Sequence, residues 1–193
     1  PPPSSLRHTV PMHSTDDPDL TPDQNEFQYN PQRAFPDFAQ HAVRREPLNQ
    51  AANRHPGRRI DIAYGDGALR TLDFYPAPGA GRAPAHLFIH GGYWRQQDKR
   101  AYGWLGARLA SQGLSTLVIN YALCPAVTLD GVVESAQAAF AWVCRHLDEL
   151  GAHPRRLSLS GHSAGAHLVA GILSTDWRGH GIDAGIVTGA TLI

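Results

Sequence analysis

Ser163 sits at the centre of Gly161-His162-Ser163-Ala164-Gly165, with a glycine two residues away on each side. A serine hydroxyl becomes a nucleophile when the chain holds it on a sharp turn beside backbone N–H groups that can take the developing charge. The spacing suits that chemistry. Side chains two before and two after a strand-to-helix turn would collide with backbone, and glycine carries none. Earlier in the chain, His90-Gly91-Gly92-Tyr93-Trp94 offers the complementary half. Paired glycines leave peptide N–H groups to face a carbonyl oxygen, and one such donor is worth about 3 kcal/mol in a transition state. The expected donors are the N–H groups of Gly92 and Tyr93, with Gly91 shaping the turn, and the Ala164 N–H after the serine. A chance Gly/Ser pattern and a plain glycine turn are the competing readings. The flanking elements decide between them, because the chemistry needs a strand before each motif and a helix after the serine.

Those elements are legible. Arg156 to Ser160 alternates as a short strand, and Leu168, Val169, Ile172 and Leu173 mark an apolar helix after the serine. His86-Leu87-Phe88-Ile89 is a strand running into the His-Gly-Gly loop. Its helix spans Asp98 to Gln112, with Tyr102, Leu105 and Leu109 on one face and Gly113 as a stop. Leu114 to Tyr121 is the next strand. Val133, Ala136, Phe140, Val143, Leu147 and Leu150 then give a helix between an Asp130 cap and Gly151. Upstream, Arg59–Gly65 and Leu69–Tyr75 alternate around Gly65-Asp66-Gly67 and predict an antiparallel hairpin. Downstream, Ala184 to Ile193 predicts one more buried strand. Strands alternating with helices define an α/β class with a mostly parallel sheet and helices on both faces.

Before the hairpin the chain changes character. Residues 1–25 are rich in Pro, Ser, Thr, Asp and His and predict a flexible tail. Residues 26–57 bring back aromatics and a helix from Asp37 to about Asn53, a strap or cap with too little core of its own. Residues 58–193 form the core domain. The first residue is proline and Met12 is the only methionine, so residues 1–11 are expected to be upstream sequence.

Composition excludes several classes. The 193 residues carry zero formal net charge, with 42% hydrophobic and 18% charged residues, as expected of a globular protein that can bury a core. No basic run exists for phosphate steering, so no nucleic-acid partner is expected. No apolar run is long enough for a membrane span and no hydrophobic signal segment begins the chain, so a cytoplasmic location is expected. Cys124 and Cys144 lack metal-ligand spacing and read as reduced packing residues. Neither a metal nor a cofactor is expected.

The two serine-hydrolase signals, with strands leading into each, resemble the α/β-hydrolase superfamily. His90-Gly91-Gly92-Tyr93-Trp94 is similar to the His-Gly-Gly-x-Trp signature of the kynurenine formamidase (arylformamidase) branch, with weaker support from Tyr29-Asn30-Pro31, Tyr64-Gly65 and Leu72-Asp73-Phe74-Tyr75-Pro76. The likeness runs from about Glu26 onward. It implies hydrolysis of an aryl formamide such as N-formyl-L-kynurenine to kynurenine and formate, in tryptophan catabolism, with Ser163 attacking the formyl carbon. Tyr93, Trp94 and His162 would line the pocket, and His90 would brace the loop rather than exchange protons. A carboxylesterase on small acyl esters and a non-catalytic binding protein on the same fold are the alternatives. A homodimer is also expected.

The superfamily places an acid and then a histidine after the nucleophile. Here the only carboxylates after Ser163 are Asp176 and Asp183, and the only histidines are His167 and His180. His167 lies four residues along the elbow helix and His180 in a loop, so neither fits the base. The last strand ends in Ala190-Thr191-Leu192-Ile193 where the family has a Gly-hydrophobic-Asp turn. The expectation is a chain lacking the last strands and the triad acid and base, and therefore an almost inactive one with an exposed sheet edge.

Overall fold

A computed structural model describes residues 20–35, 37–79 and 81–193. The expected tail falls mostly on residues 1–19, and with it the reading of residues 1–11, outside the described residues. The chain divides into two compact units, one ending at His41 and the other running from Ala42 to Ile193.

In the first unit, helix α1 (Pro22–Tyr29) begins inside the stretch expected to be unstructured. The cause is local: Thr21 and Gln24 form a reciprocal capping box, and Pro22 occupies the first helical position, where its missing N–H costs nothing. Helix α2 (Pro31–Ala34) follows, and helix α3 (Phe38–Ala52) crosses from one unit into the other. Within the second unit, the Asn49 side chain of α3 accepts from the Trp104 N–H and donates to the Ala101 carbonyl, and Ala52 is buried.

The second unit is a six-stranded sheet ordered β1-β2-β4-β3-β5-β6. Strands β1 (Arg59–Ala63) and β2 (Thr71–Tyr75) form the antiparallel hairpin, and β2 also pairs antiparallel with β4. Strands β3 (Ala85–Ile89), β4 (Ser115–Ile119), β5 (Leu157–Gly161) and β6 (Val187–Leu192) run parallel. Alternation divides the core. Leu72, Phe74, Leu87, Ile89, Leu117, Ile119, Leu157 and Leu159 pack with residues of α5 and α6, while Tyr75, Phe88 and Val118 pack with Ala110 of α4. Helices thus cover both faces.

Helix α4 (Gly103–Ser111) is shorter than the sequence predicts, because Asp98 caps a separate 3₁₀ turn at Lys99–Tyr102. Helix α5 (Leu129–His146) starts earlier than an Asp130 cap would allow. Thr128 is the cap, its hydroxyl accepting from the Gly131 N–H. Helix α6 (Ala164–Ser174) follows β5 directly. The last strand differs from expectation in two ways: Ala184–Ile186 forms a 3₁₀ turn, so β6 starts later, and its residues beyond Val187 are exposed rather than buried, Leu192 at 50%. Among the described residues its outer edge is unpaired, as the sequence predicts.

Candidate active site

The end of β5 and the start of α6 are forced together by two glycines. A Cβ on Gly161 would lie 2.2 Å from the Gly165 carbonyl oxygen, and one on Gly165 would lie 2.1 Å from that of Ile89. Both distances are below any real carbon contact, so only glycine permits the turn. At its apex Ser163 has φ 53° and ψ −116°, a left-handed conformation that costs about 1–3 kcal/mol in a non-glycine residue. Helix, strand and a further contact hold it there: the Ser163 N–H donates to the Ile193 carbonyl at 2.7 Å, and the Ser163 carbonyl accepts from Ala166 and His167. The residue is solvent-exposed.

The His-Gly-Gly loop lies against this turn. A Cβ on Gly91 would sit 2.7 Å from the His162 carbonyl oxygen and 3.2 Å from Ser163 Cβ. Gly92 has φ 119°, and Tyr93 and Trp94 follow at φ 57° and 59°, so three successive residues are left-handed. The Gly92 carbonyl closes the turn by accepting from Arg95 and Gln96. Among the described residues, the N–H groups of Gly92, Tyr93 and Ala164 have no protein acceptor. Unpaired donors beside an exposed hydroxyl are suited to receiving an oxygen that gains negative charge.

Around this centre, Tyr93 is 46% exposed with the Arg95 guanidinium over its ring at 5.3 Å. Trp94 is half-buried and His162 exposed, the latter with Nδ1 close against Gly91. The Trp94 indole donates to His167 Nδ1 at 3.3 Å, its ring edge-on at 5.5 Å. His167, four residues along the elbow helix, is exposed on its flank. No hydrogen bond joins the Ser163 hydroxyl to a histidine among the described residues. His180 packs at a tilt against Trp177, whose indole donates to the Ile172 carbonyl near the other end of α6. Asp176 caps the turn there, and Asp183 pairs with Arg155 and accepts from the Gly185 N–H, which holds its carboxyl below the usual range. An eleven-residue helix separates these groups from Ser163, roughly 16 Å along its axis.

His90 is 1% exposed. Its ring lies between Tyr102 and Tyr121, at 5.9 and 4.5 Å. Nδ1 contacts the Gly91 carbonyl at 2.6 Å and Nε2 lies 3.2 Å from Asn120 Oδ1. Burial pushes its pKa down against the opposing pull of these oxygens. Asn120 Oδ1 also accepts from the Lys99 N–H, and Asn120 Nδ2 donates to Asp98. Lys99, 1% exposed, places its ammonium between Asp61 and the buried Asp73. Sequence reasoning missed this network. Its one signal was that Lys99 is the only lysine in a chain whose other basic side chains are arginine. Among the described residues there is no cluster suited to a metal, and no helix long and apolar enough to cross a membrane.

A mostly parallel sheet with a serine elbow between strand and helix defines the α/β-hydrolase superfamily. The BD-FAE family profile matches residues 72–184, more than half of the chain, and the chain belongs to that family. A kynurenine formamidase of Danio rerio is 30% identical over 181 residues, which cover 90% of this chain and 60% of that enzyme. A probable isoprenylcysteine alpha-carbonyl methylesterase of Oryza sativa is 36% identical over 110 residues, 56% of this chain and 26% of the relative. The crystal structure of an esterase B from Lactobacillus rhamnosis, with a phosphonate inhibitor, superposes with a TM-score of 0.64 at 25% identity. It is matched over 81% of this chain and 55% of that one. The chain therefore spans at most 60% of the length of these three.

Proposed function

We propose that the chain carries the nucleophile and oxyanion half of a serine hydrolase whose substrate is an aryl formamide of the N-formyl-L-kynurenine type. The observation behind this reading is the strained, exposed Ser163 beside the unpaired N–H groups of Gly92, Tyr93 and Ala164. In the proposed reaction Ser163 Oγ adds to the formyl carbon and its proton passes to a general base. The former carbonyl oxygen, now negative, is received by those N–H groups. Collapse of the adduct expels the aryl amine, which takes the proton, and water then releases formate and restores the serine. Tyr93, Trp94 and His162 are the proposed walls for the aromatic ring. The formamidase relative, matched over 90% of this chain, supports the substrate. An esterase is the second reading, favoured by the methylesterase relative and the superposed esterase.

The base is not proposed to be His167, because its Nδ1 lone pair accepts the hydrogen bond of the Trp94 indole. Nor is it His180, which lies beyond α6 with Asp176 and Asp183. Without a triad histidine a serine hydrolase loses on the order of a million-fold in kcat, so the 193-residue chain should turn over very slowly. Turnover of N-formyl-L-kynurenine and p-nitrophenyl acetate by this chain and its Ser163→Ala variant, with imidazole added as the proton acceptor, tests the assignment, because without a base removal of the serine costs little further. A slow but Ser163-dependent rate, higher on the formamide, is expected. Equal rates for the two proteins would sink the nucleophile, and a preference for the acetate would favour the esterase.

A further inference from the structure

The Gly91–Gly92 peptide is held from behind by side chains outside both motifs. A peptide bond is planar and trans, so its C=O and N–H point in opposite directions. Fixing the Gly91 oxygen therefore aims the Gly92 N–H. That oxygen meets His90 Nδ1 at 2.6 Å and the Tyr121 hydroxyl at 3.4 Å, while the same hydroxyl donates to the His90 carbonyl at 2.8 Å. Tyr121 is fully buried, and burial pushes its pKa far up, so the hydroxyl keeps the proton it donates. A neutral imidazole carries one N–H, and both oxygens that face the ring, the Gly91 carbonyl and Asn120 Oδ1, can only accept; the shorter contact, 2.6 against 3.2 Å, assigns the proton to Nδ1. The ring is kept in place by two tyrosine faces, with Asn120 Oδ1 standing against its unprotonated Nε2 edge. Asn120 cannot turn its amide over, because Oδ1 is needed by the Lys99 N–H and Nδ2 by Asp98.

We propose that Tyr121 and Asn120 are positioning residues for the oxyanion loop. With His90 they lock the Gly91 carbonyl inward, so that the Gly92 N–H faces the oxygen bound at Ser163. The inference rests on the hydrolase reading and deepens it by naming what aims the donor. Bonds received at the carbonyl also polarise the peptide, making its N–H a better donor. Lys99 stands one step further back: its ammonium, between Asp61 and Asp73, fixes the backbone N–H that orients Asn120.

Two readouts on the 193-residue chain test this. Nitrogen-15 NMR of wild type should report His90 as the Nδ1–H tautomer, and the Gly92 amide proton should move upfield in Tyr121→Phe and Asn120→Ser, with that of Ala164 unchanged. Tyr121→Phe keeps the ring against His90, and Asn120→Ser provides a second route if it does not fold. With imidazole added as the base, a fluorophosphonate that labels Ser163 should react with a maximal rate lowered about tenfold in either variant, at an unchanged half-saturating concentration. An Nε2–H tautomer in wild type, or a Gly92 amide that stays put in both variants, would overturn the proposal. Phosphonate labelling no faster than that of Ser163→Ala would instead defeat the hydrolase reading, while the amide and tautomer signals still judged the positioning.

Discussion

Gly165 reverses an ordinary rule. Glycine inside a helix is about 1 kcal/mol worse than alanine, so Gly→Ala usually stabilises. A Cβ here would instead press within 2.1 Å of the Ile89 carbonyl oxygen and 2.6 Å of that of His90, both backbone atoms. Gly165→Ala should destabilise by about 3 kcal/mol, read as a lowered urea midpoint, because overpacking against backbone has no rotamer escape. His86 carries a second expectation at this scale. It is buried on β3, with Nδ1 and Nε2 contacting the Ser158 and Ser160 hydroxyls of β5 at 2.8 and 2.7 Å. Hydroxyls can donate to one nitrogen and accept from the other, which suits the neutral ring. Burial lowers its pKa from 6.5 to about 4. Above pH 6.5 the ring is neutral folded or unfolded. As pH falls from 6.5 towards 4, the unfolded chain gains a proton that the folded chain refuses, and stability drops by about 3 kcal/mol. Urea unfolding at pH 7.5 and pH 4 should resolve the loss, and His86→Gln should flatten that part of the profile.

Among the elements, the β1–β2 hairpin does more than lengthen the sheet. Asp73 of β2 accepts both the Lys99 ammonium and the Asp61 N–H, and Asp61 itself bends to φ 54° to face the same lysine. Lysine hydrogen bonding holds the Asp61 carboxyl below its usual range. Removing one partner of a buried pair strands the other charge, so Lys99→Met should destabilise by about 3–5 kcal/mol. Adding Asp73→Asn to that variant should recover part of the loss, and thermal unfolding of the single and double variants checks the sign. If Lys99→Met unfolded at the wild-type temperature, the hairpin would not be a support of the oxyanion loop.

Across the sheet as a whole, protection is uneven. β3, β4 and most of β5 are buried, whereas β6 is exposed along nearly its full length. An exposed apolar edge is a template for pairing with another strand, and zero net charge gives no long-range repulsion against it. The purified chain is expected to self-associate with rising concentration in sedimentation velocity, and Thr191→Lys should weaken that association. A monomer at every concentration would remove β6 as an interface.

Local rules carried the sequence a long way. The period of the apolar residues gave the α/β class, and the glycine spacing gave the elbow and its facing loop, because both follow from the backbone over a few residues. The Thr128 cap and the Thr21 capping box obey the same rules, although Asp130 and the polar composition of residues 1–25 point elsewhere. Other features depended on distance in the chain. By sequence Asn120 and Tyr121 close the Leu114–Tyr121 strand and Lys99 falls in the first turn of the Asp98–Gln112 helix, with nothing local to mark any of them. Their roles come from β4 lying between β2 and β3, which brings a hairpin carboxylate, a loop lysine and a strand-end amide together behind His90. No periodicity encodes that order, since strand neighbours are chosen by how the whole sheet buries its two faces.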